Sequence, residues 1–242
     1  MEENELKCWL AGSLRLSVFY GVDVDLVKIP KWKDVTGETP DSQISHPKIG
    51  VYQESGKFAD GSLTMNIGPS RVDWLYTPLI KSEAVFDSFP NVGEISQATE
   101  HFKSFALSWL KSLDYLTRMA FGAILIQPAG SQEEAYRNLA KYLHFVDIDP
   151  ATSDFSYSIN RPRDSVLGIT GFKINRLSKW RAITMILSVD DAMNKVDFAC
   201  NLELDINTTP DEKVCIKKEM IRPVFEELVS LGIEITEKGD IA

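Results

Sequence analysis

Val196-Asp-Phe-Ala-Cys-Asn-Leu-Glu-Leu-Asp-Ile206 alternates apolar and polar residues without a break. Val196, Phe198, Cys200, Leu202, Leu204 and Ile206 fall on one side, and Asp197, Ala199, Asn201, Glu203 and Asp205 on the other. Successive side chains of a strand point to opposite faces. The stretch is therefore a long strand with one face in a core and one in water, the pattern of antiparallel sheet. Directly after it, Thr209 as N-cap, Pro210 at N1, Asp211 in the first turn and Glu212 at N3 give a helix start. Ile216, Met220, Ile221, Phe225 and Leu228 form its inner face, and Gly232 is its expected stop.

Working back from that strand, Arg181 to Val189 reads as another. Phe155 to Arg161 and Ile169 to Arg176 read as a hairpin around Val166-Leu167-Gly168. Ser131 and Glu134 make a capping box for a short helix through about Leu143. Met119 to Gln127 is a strand ended by Pro128. In the first half the clearest element is a helix from about Ser96 to Asp114. Phe102, Phe105, Ala106, Trp109, Leu110 and Leu113 lie on one face of it, at the spacing of a buried stripe. Before it come strands over Leu14–Tyr20 and Val72–Thr77, and a hairpin of Ile49–Glu54 with Ser62–Ile67, turning at Asp60-Gly61. Residues 30–47 and 81–95 read as loops, polar enough to serve as contact surfaces. The fold class is α+β, antiparallel sheet with helices packed on one face. The chain is one domain, 1–242. A faint echo of residues 65–74 in 172–180 leaves open two similar strand-strand-helix halves, 1–117 and 118–242.

Composition bounds the function. A chain of 242 residues, 44% hydrophobic and 25% charged, is that of an ordinary globular protein able to bury a full core. The net charge of −9 argues against generic affinity for nucleic acid or membranes. The longest apolar stretch, Ala120 to Ile126, is too short to span a bilayer. The N-terminus, Met-Glu-Glu-Asn-Glu, is acidic, unlike a secretory leader. Cys8, Cys200 and Cys215 are odd in number and lack metal-ligand spacing, so they read as free thiols of a reducing cytoplasm.

The Arg118-Met-Ala-Phe-Gly strand after the Trp109 helix, and Leu202-Glu-Leu-Asp-Ile-Asn207 before the final helix, resemble a sporadically distributed family of uncharacterised bacterial proteins of about this length. The resemblance implies the same order of elements over most of the chain. It carries no activity and no site residue. The scattered distribution implies a mobile-element or host-defence setting.

One chemical asymmetry stands out. Residues 157–181 hold Arg161, Arg163, Lys173, Arg176, Lys179 and Arg181 against the single acid Asp164, inside an acidic chain. Arg161 and Arg176 continue the faces of Ile159 and Ile174, so both leave the sheet on one side. Trp180 stands between Lys179 and Arg181, where an aromatic among cations can stack on a base. Arg161, Arg163, Arg176, Lys179, Trp180 and Arg181 are thus the candidate anion or nucleic-acid site. The plainer reading is a solvated sheet face whose charges pair with carboxylates elsewhere.

A second constellation is the acidic strand face of Asp197, Glu203 and Asp205, which Asp147 and Asp149 could join. Such carboxylates suit a metal-dependent phosphodiesterase or nuclease, although an alternating strand must place polar residues outward in any case. His46, His101 and His144 have no Cys or His at ligand spacing. No Gly-x-Ser-x-Gly and no glycine-rich phosphate loop occurs. The expectation is therefore a non-enzymatic cytosolic binding or adaptor protein, without cofactor, metal or catalytic residue. Its partner is a protein, with a second copy of the chain also admissible, and no membrane is involved. Nucleic-acid binding through 157–181 and metal-dependent phosphodiester chemistry are the alternatives.

Overall fold

The computed structural model describes residues 8–21, 29–46, 48, 50–79, 88–149, 151, 153–168, 172–189, 193–209 and 215–240. In chain order the elements are β1 (Leu10–Phe19), α1 (Trp32–Thr36), β2 (Ser42–His46), β3 (Val51–Phe58), β4 (Gly61–Gly68), β5 (Arg71–Pro78) and α2 (Ile95–Leu110). Then come β6 (Tyr115–Leu116), β7 (Arg118–Ala129), α3 (Gln132–Tyr142), β8 (Ser156–Asn160), β9 (Arg163–Asp164), β10 (Lys173–Val189), β11 (Met193–Thr208), β12 (Ile216–Lys217) and α4 (Lys218–Lys238).

Among the described residues, ten strands form one sheet in the order β2-β3-β4-β5-β1-β7-β11-β10-β8, with β9 also on β10. Every pairing given is antiparallel. The central pair is β1–β7, aligned from Leu10↔Ile126 to Phe19↔Arg118 with a shift at Gly12. β6 and β12 pair separately, Ile216↔Leu116, and hold the start of α4 near the end of α2.

The α+β class and the single helix-covered face hold. The buried residues of β1 (Leu14, Leu16, Val18), β5 (Val72, Trp74, Tyr76), β7 (Met119, Phe121, Leu125) and β11 (Cys200, Leu202, Ile206) share one parity. They belong to one core with the inner residues of α2, α3 and α4. Under α2 that core is aromatic: Trp74 meets Trp32, Phe105 and Trp109. Near α3, Trp180 packs between Trp9 and Tyr142. The Cys200 thiol is fully buried, donates to the Ala135 carbonyl at 3.2 Å, and is pushed up to about 12 by burial; it behaves as a small apolar residue. No described helix is long and apolar enough to cross a membrane.

Several expectations need correction. The supposed loop 30–47 holds α1 and β2. α1 is a five-residue turn fixed by burial of Trp32 and by its N–H donating to Glu54 at 2.8 Å. β2 is an edge strand with every residue exposed, which erases the alternation that marks a strand. Of the other loop, 81–95, residues 81–87 lie outside the described residues, and Ile95 already belongs to α2. The β3–β4 turn is Ala59-Asp60, with Gly61 already paired to Phe58. α2 stops at Leu110, short of Asp114. β7 continues through Pro128, which pairs with Ala199 beyond the last β1 pair, where a proline meets a free edge.

The two strands expected at 169–176 and 181–189 are one continuous β10. β8 pairs with it from Arg181↔Ser156 to Leu177↔Asn160. The last helix starts at Lys218; Thr209 instead donates its N–H to Lys173 in the sheet, and Pro210, Asp211 and Glu212 lie outside the described residues. Gly232 does not end that helix. It sits inside it, where an added Cβ would come within 3.0 Å of Phe121, so the glycine lets α4 lie close on β7. The stop is Gly239, at φ 75°. Ser131 does cap α3, accepting from Glu134 N–H at 3.1 Å, while the Glu134 carboxylate reaches back to Gly130 N–H.

Candidate functional site

The basic segment does not form one surface. Because β10 is continuous, residue parity divides it. Ile174, Arg176, Ser178 and Trp180 face the helices; Asn175, Leu177, Lys179 and Arg181 face away.

On the helix side the cations are held by the C-terminal helix and the residues after it. Arg161 grips Asp240 with Nε–Oδ1 at 2.6 Å and Nη2–Oδ2 at 3.3 Å, and Tyr157 donates to the same carboxylate at 3.0 Å. Arg163 meets Glu234 at 3.1 Å, and Arg176 approaches it at 3.7 Å. Lys238 adds a contact to Glu234 at 3.3 Å. The Arg161 guanidinium is raised, first by its hydrogen bond to Asp240. Arg176, 3% exposed, is lowered by burial and then by the charge of Arg163. Burial would raise Glu234, but the Lys238 hydrogen bond and the charges of Arg163 and Arg176 bring it below the ordinary carboxylate value. Arg161 and Arg163 are therefore a clamp on the C-terminal segment, and Arg176 is buried beside it with its Nε unpartnered. Trp180 is fully buried against Trp9 and Tyr142, so it cannot stack on a base. Its N–H donates to Ser178 at 3.0 Å.

On the opposite face the sheet carries no described helix. Phe89 roofs one corner, packing with Ile126 and Ala199. The rest is polar. An amide chain runs Asn160–Asn175–Asn207–Asp205, at 3.0, 3.1 and 3.3 Å. Register places Ser55, Thr64, Leu75, Arg15 and Gly122 in one row, and Gln53, Asn66, Asp73 and Ser17 in the next. Parity also brings eight cations to this face (Arg15, Lys57, Arg71, Arg118, Lys173, Lys179, Arg181, Lys195) against Asp73, Asp164, Asp197, Glu203 and Asp205. A face with surplus positive charge in a chain of −9 marks it as different from the remaining surface.

Half of these cations are committed. Arg71 holds Asp73 and Ser17. Arg118 bonds Asn207 at 2.8 Å and the Thr208 carbonyl at 3.2 Å, and both Arg71 and Arg118 lie over the Phe19 ring. Arg181 donates to Asn201 at 2.8 Å and is ion-paired with Glu203. Asp197 pairs with Lys195 at 3.2 Å. The acidic strand face is thus interleaved with cations, and no group of metal-ligating side chains occurs among the described residues.

One depression of about 350 Å³ lies in the middle of this face. Its lining comes from β5 (Leu75), β1 (Ser13, Arg15), β7 (Gly122, Ile124), β11 (Glu203, Asp205), β10 (Leu177, Lys179) and β8 (Ser158). Six strands at ~4.8 Å spacing cover about 24 Å when flat. Residues of all six line the one depression. Ile124 and Leu177 stand 44% and 37% exposed at its wall. Of the residues singled out from sequence, Lys179, Glu203 and Asp205 line it, and Arg181 holds its Glu203. Arg15, Gly122, Ser13 and Ser158 were not singled out, because only strand register brings them together. The chain matches no protein-family model, no curated protein and no solved structure.

Proposed function

We propose that the chain is a non-enzymatic cytosolic binding protein and that a partner protein docks on the open face of the sheet. The observation that carries this reading is the exposure of Ile124 and Leu177 around a depression in the middle of the sheet. On the helix side the neighbours of these two residues, Ala123, Leu125, Arg176 and Ser178, are buried. Exposed apolar side chains rimmed by polar ones suit the centre and rim of a protein interface. The matching outward orders β1-β5-β4-β3 and β7-β11-β10-β8 support two similar halves meeting at that depression. The family resemblance favours a mobile-element or host-defence setting. In the test, Ile124→Glu with Leu177→Glu lowers partner capture by the tagged chain while the chain stays folded by thermal unfolding, since both side chains reach water. Undiminished capture overturns the reading.

The positive balance of the face favours a second reading, nucleic-acid binding. It moves the contact from 157–181 as a block to Arg15, Lys179 and their neighbours. It requires binding that weakens steeply with salt, which Arg15→Glu and Lys179→Glu abolish and Arg163→Glu does not.

A further inference from the structure

We propose that the depression over Gly122 is a receptacle for a single carboxylate, supplied by an acidic side chain of the docking protein next to an apolar residue. The inference rests on the docking reading and names what the partner presents there.

Arg15 is the organising group. An added Cβ at Gly122 would lie 3.1 Å from both Nε and Nη2 of Arg15, so the guanidinium rests flat on the glycine. Its Nε is enclosed and has no acceptor. Its acidic neighbour, Asp205, is 3.9 Å away and already takes a hydrogen bond from Asn207. A guanidinium carries five N–H donors, and this one is short of acceptors. Lys179 lines the same depression without a hydrogen bond or ion pair among the described residues, as do the hydroxyls of Ser13 and Ser158. Four donor side chains from β1, β10 and β8 therefore line one depression without a hydrogen-bond acceptor among the described residues.

Charge selects the guest. Within the depression and its rim, Arg181 neutralises Glu203, and Asp205 offsets one of Arg15 and Lys179. One positive charge remains, which matches a carboxylate. A phosphate dianion would face Glu203 and Asp205 as well. Leu75, Ile124 and Leu177 supply an apolar wall for the neighbouring residue, and a guanidinium fork suits carboxylate geometry.

The test is a backbone-amide NMR titration of the full chain with three probes: N-acetyl-Glu-Leu-amide, N-acetyl-Gln-Leu-amide and sodium phosphate. The glutamyl peptide should give saturable shifts at Ser13, Gly122 and Lys179, with affinity lowered about tenfold or more by Arg15→Gln. Gly122→Ala keeps Arg15 but lifts its guanidinium, and should weaken the peptide similarly with the remaining spectrum unchanged. Equal response to the glutaminyl peptide, insensitivity to Arg15→Gln, a flat titration, or preference for phosphate each overturns the proposal, the last favouring nucleic acid. The two readings fail separately. Loss of the partner in the Ile124/Leu177 double variant with a flat peptide titration removes the receptacle alone; a titrating peptide with undiminished partner capture removes the docking reading.

Discussion

Arg176 and Lys179 sit three residues apart on one strand and have opposite fates. Arg176 points under α4, 3% exposed, with its Nη2 3.7 Å from Glu234. Lys179 points into the open depression and has no acceptor among the described residues. Both belong to the same basic run, yet one is spent on the fold and the other is available. A strand sends neighbours to opposite faces, so a linear cluster of charge on a strand is two half-clusters with different work. Local charge density alone is a poor guide to a site.

The contrast is sharpest in stability. Trp180→Ala should cost about 3–5 kcal/mol, the usual loss for a large buried aromatic, because it empties the space between Trp9 and Tyr142. Denaturant unfolding checks this. Next, Arg176→Ala should cost about 2 kcal/mol, mainly through the lost packing of a buried side chain, since Glu234 keeps Arg163 and Lys238. Lys179→Ala should stay within about 0.5 kcal/mol, as for a surface position without partners. If Arg176→Ala and Lys179→Ala were equally mild, the division of the strand into two faces would be wrong.

A smaller effect concerns pH. Glu234 has a lowered folded value, so its contribution is present above the ordinary 4.5 and is lost as pH falls through the lowered folded value. Thermal unfolding of the wild type should therefore lose stability in that acid range more steeply than Glu234→Gln does. The smallest expected change is Gly122→Ala. Its new methyl meets only the far end of a flexible arginine, so the melting temperature should barely move while Arg15 is displaced. A large loss of stability there would mean that Arg15 is a structural group.

Much of the fold was legible because burial writes a period into sequence. The inward set Cys200, Leu202, Leu204 and Ile206 of β11, the apolar stripe of α2 and the Ser131 cap of α3 stand as read, whereas Val196, expected inside, is 44% exposed and Asn201, expected outside, is buried. What failed lacked such a period or depended on distant partners. β2 is exposed on every residue. Gly232 looks like a helix stop until Phe121 is placed against it. The start of α4 follows from the pairing of Ile216 with Leu116, a hundred residues away in sequence.

The site was legible only in part. Alternation of Ile174, Arg176, Ser178 and Trp180 against Asn175, Leu177, Lys179 and Arg181 is visible in the sequence, and it would have separated Trp180 from the cations beside it. The acids that neutralise Arg161, Arg163 and Arg176 come from Glu234 and Asp240 at the far end of the chain. The meeting of Arg15 with Gly122 and Lys179 follows from strand order β1-β7-β11-β10, which no local pattern encodes.

The central claim, that the open face and not the helix side meets the partner, is tested most directly by site-specific photo-crosslinking in cells that make the protein. A photoreactive phenylalanine replaces Ile124 on the open face or, separately, the exposed Ser230 on the outer side of α4. The account predicts a discrete protein adduct from position 124 that Arg15→Glu abolishes, and none from position 230. An adduct from position 230 with none from position 124 would contradict it.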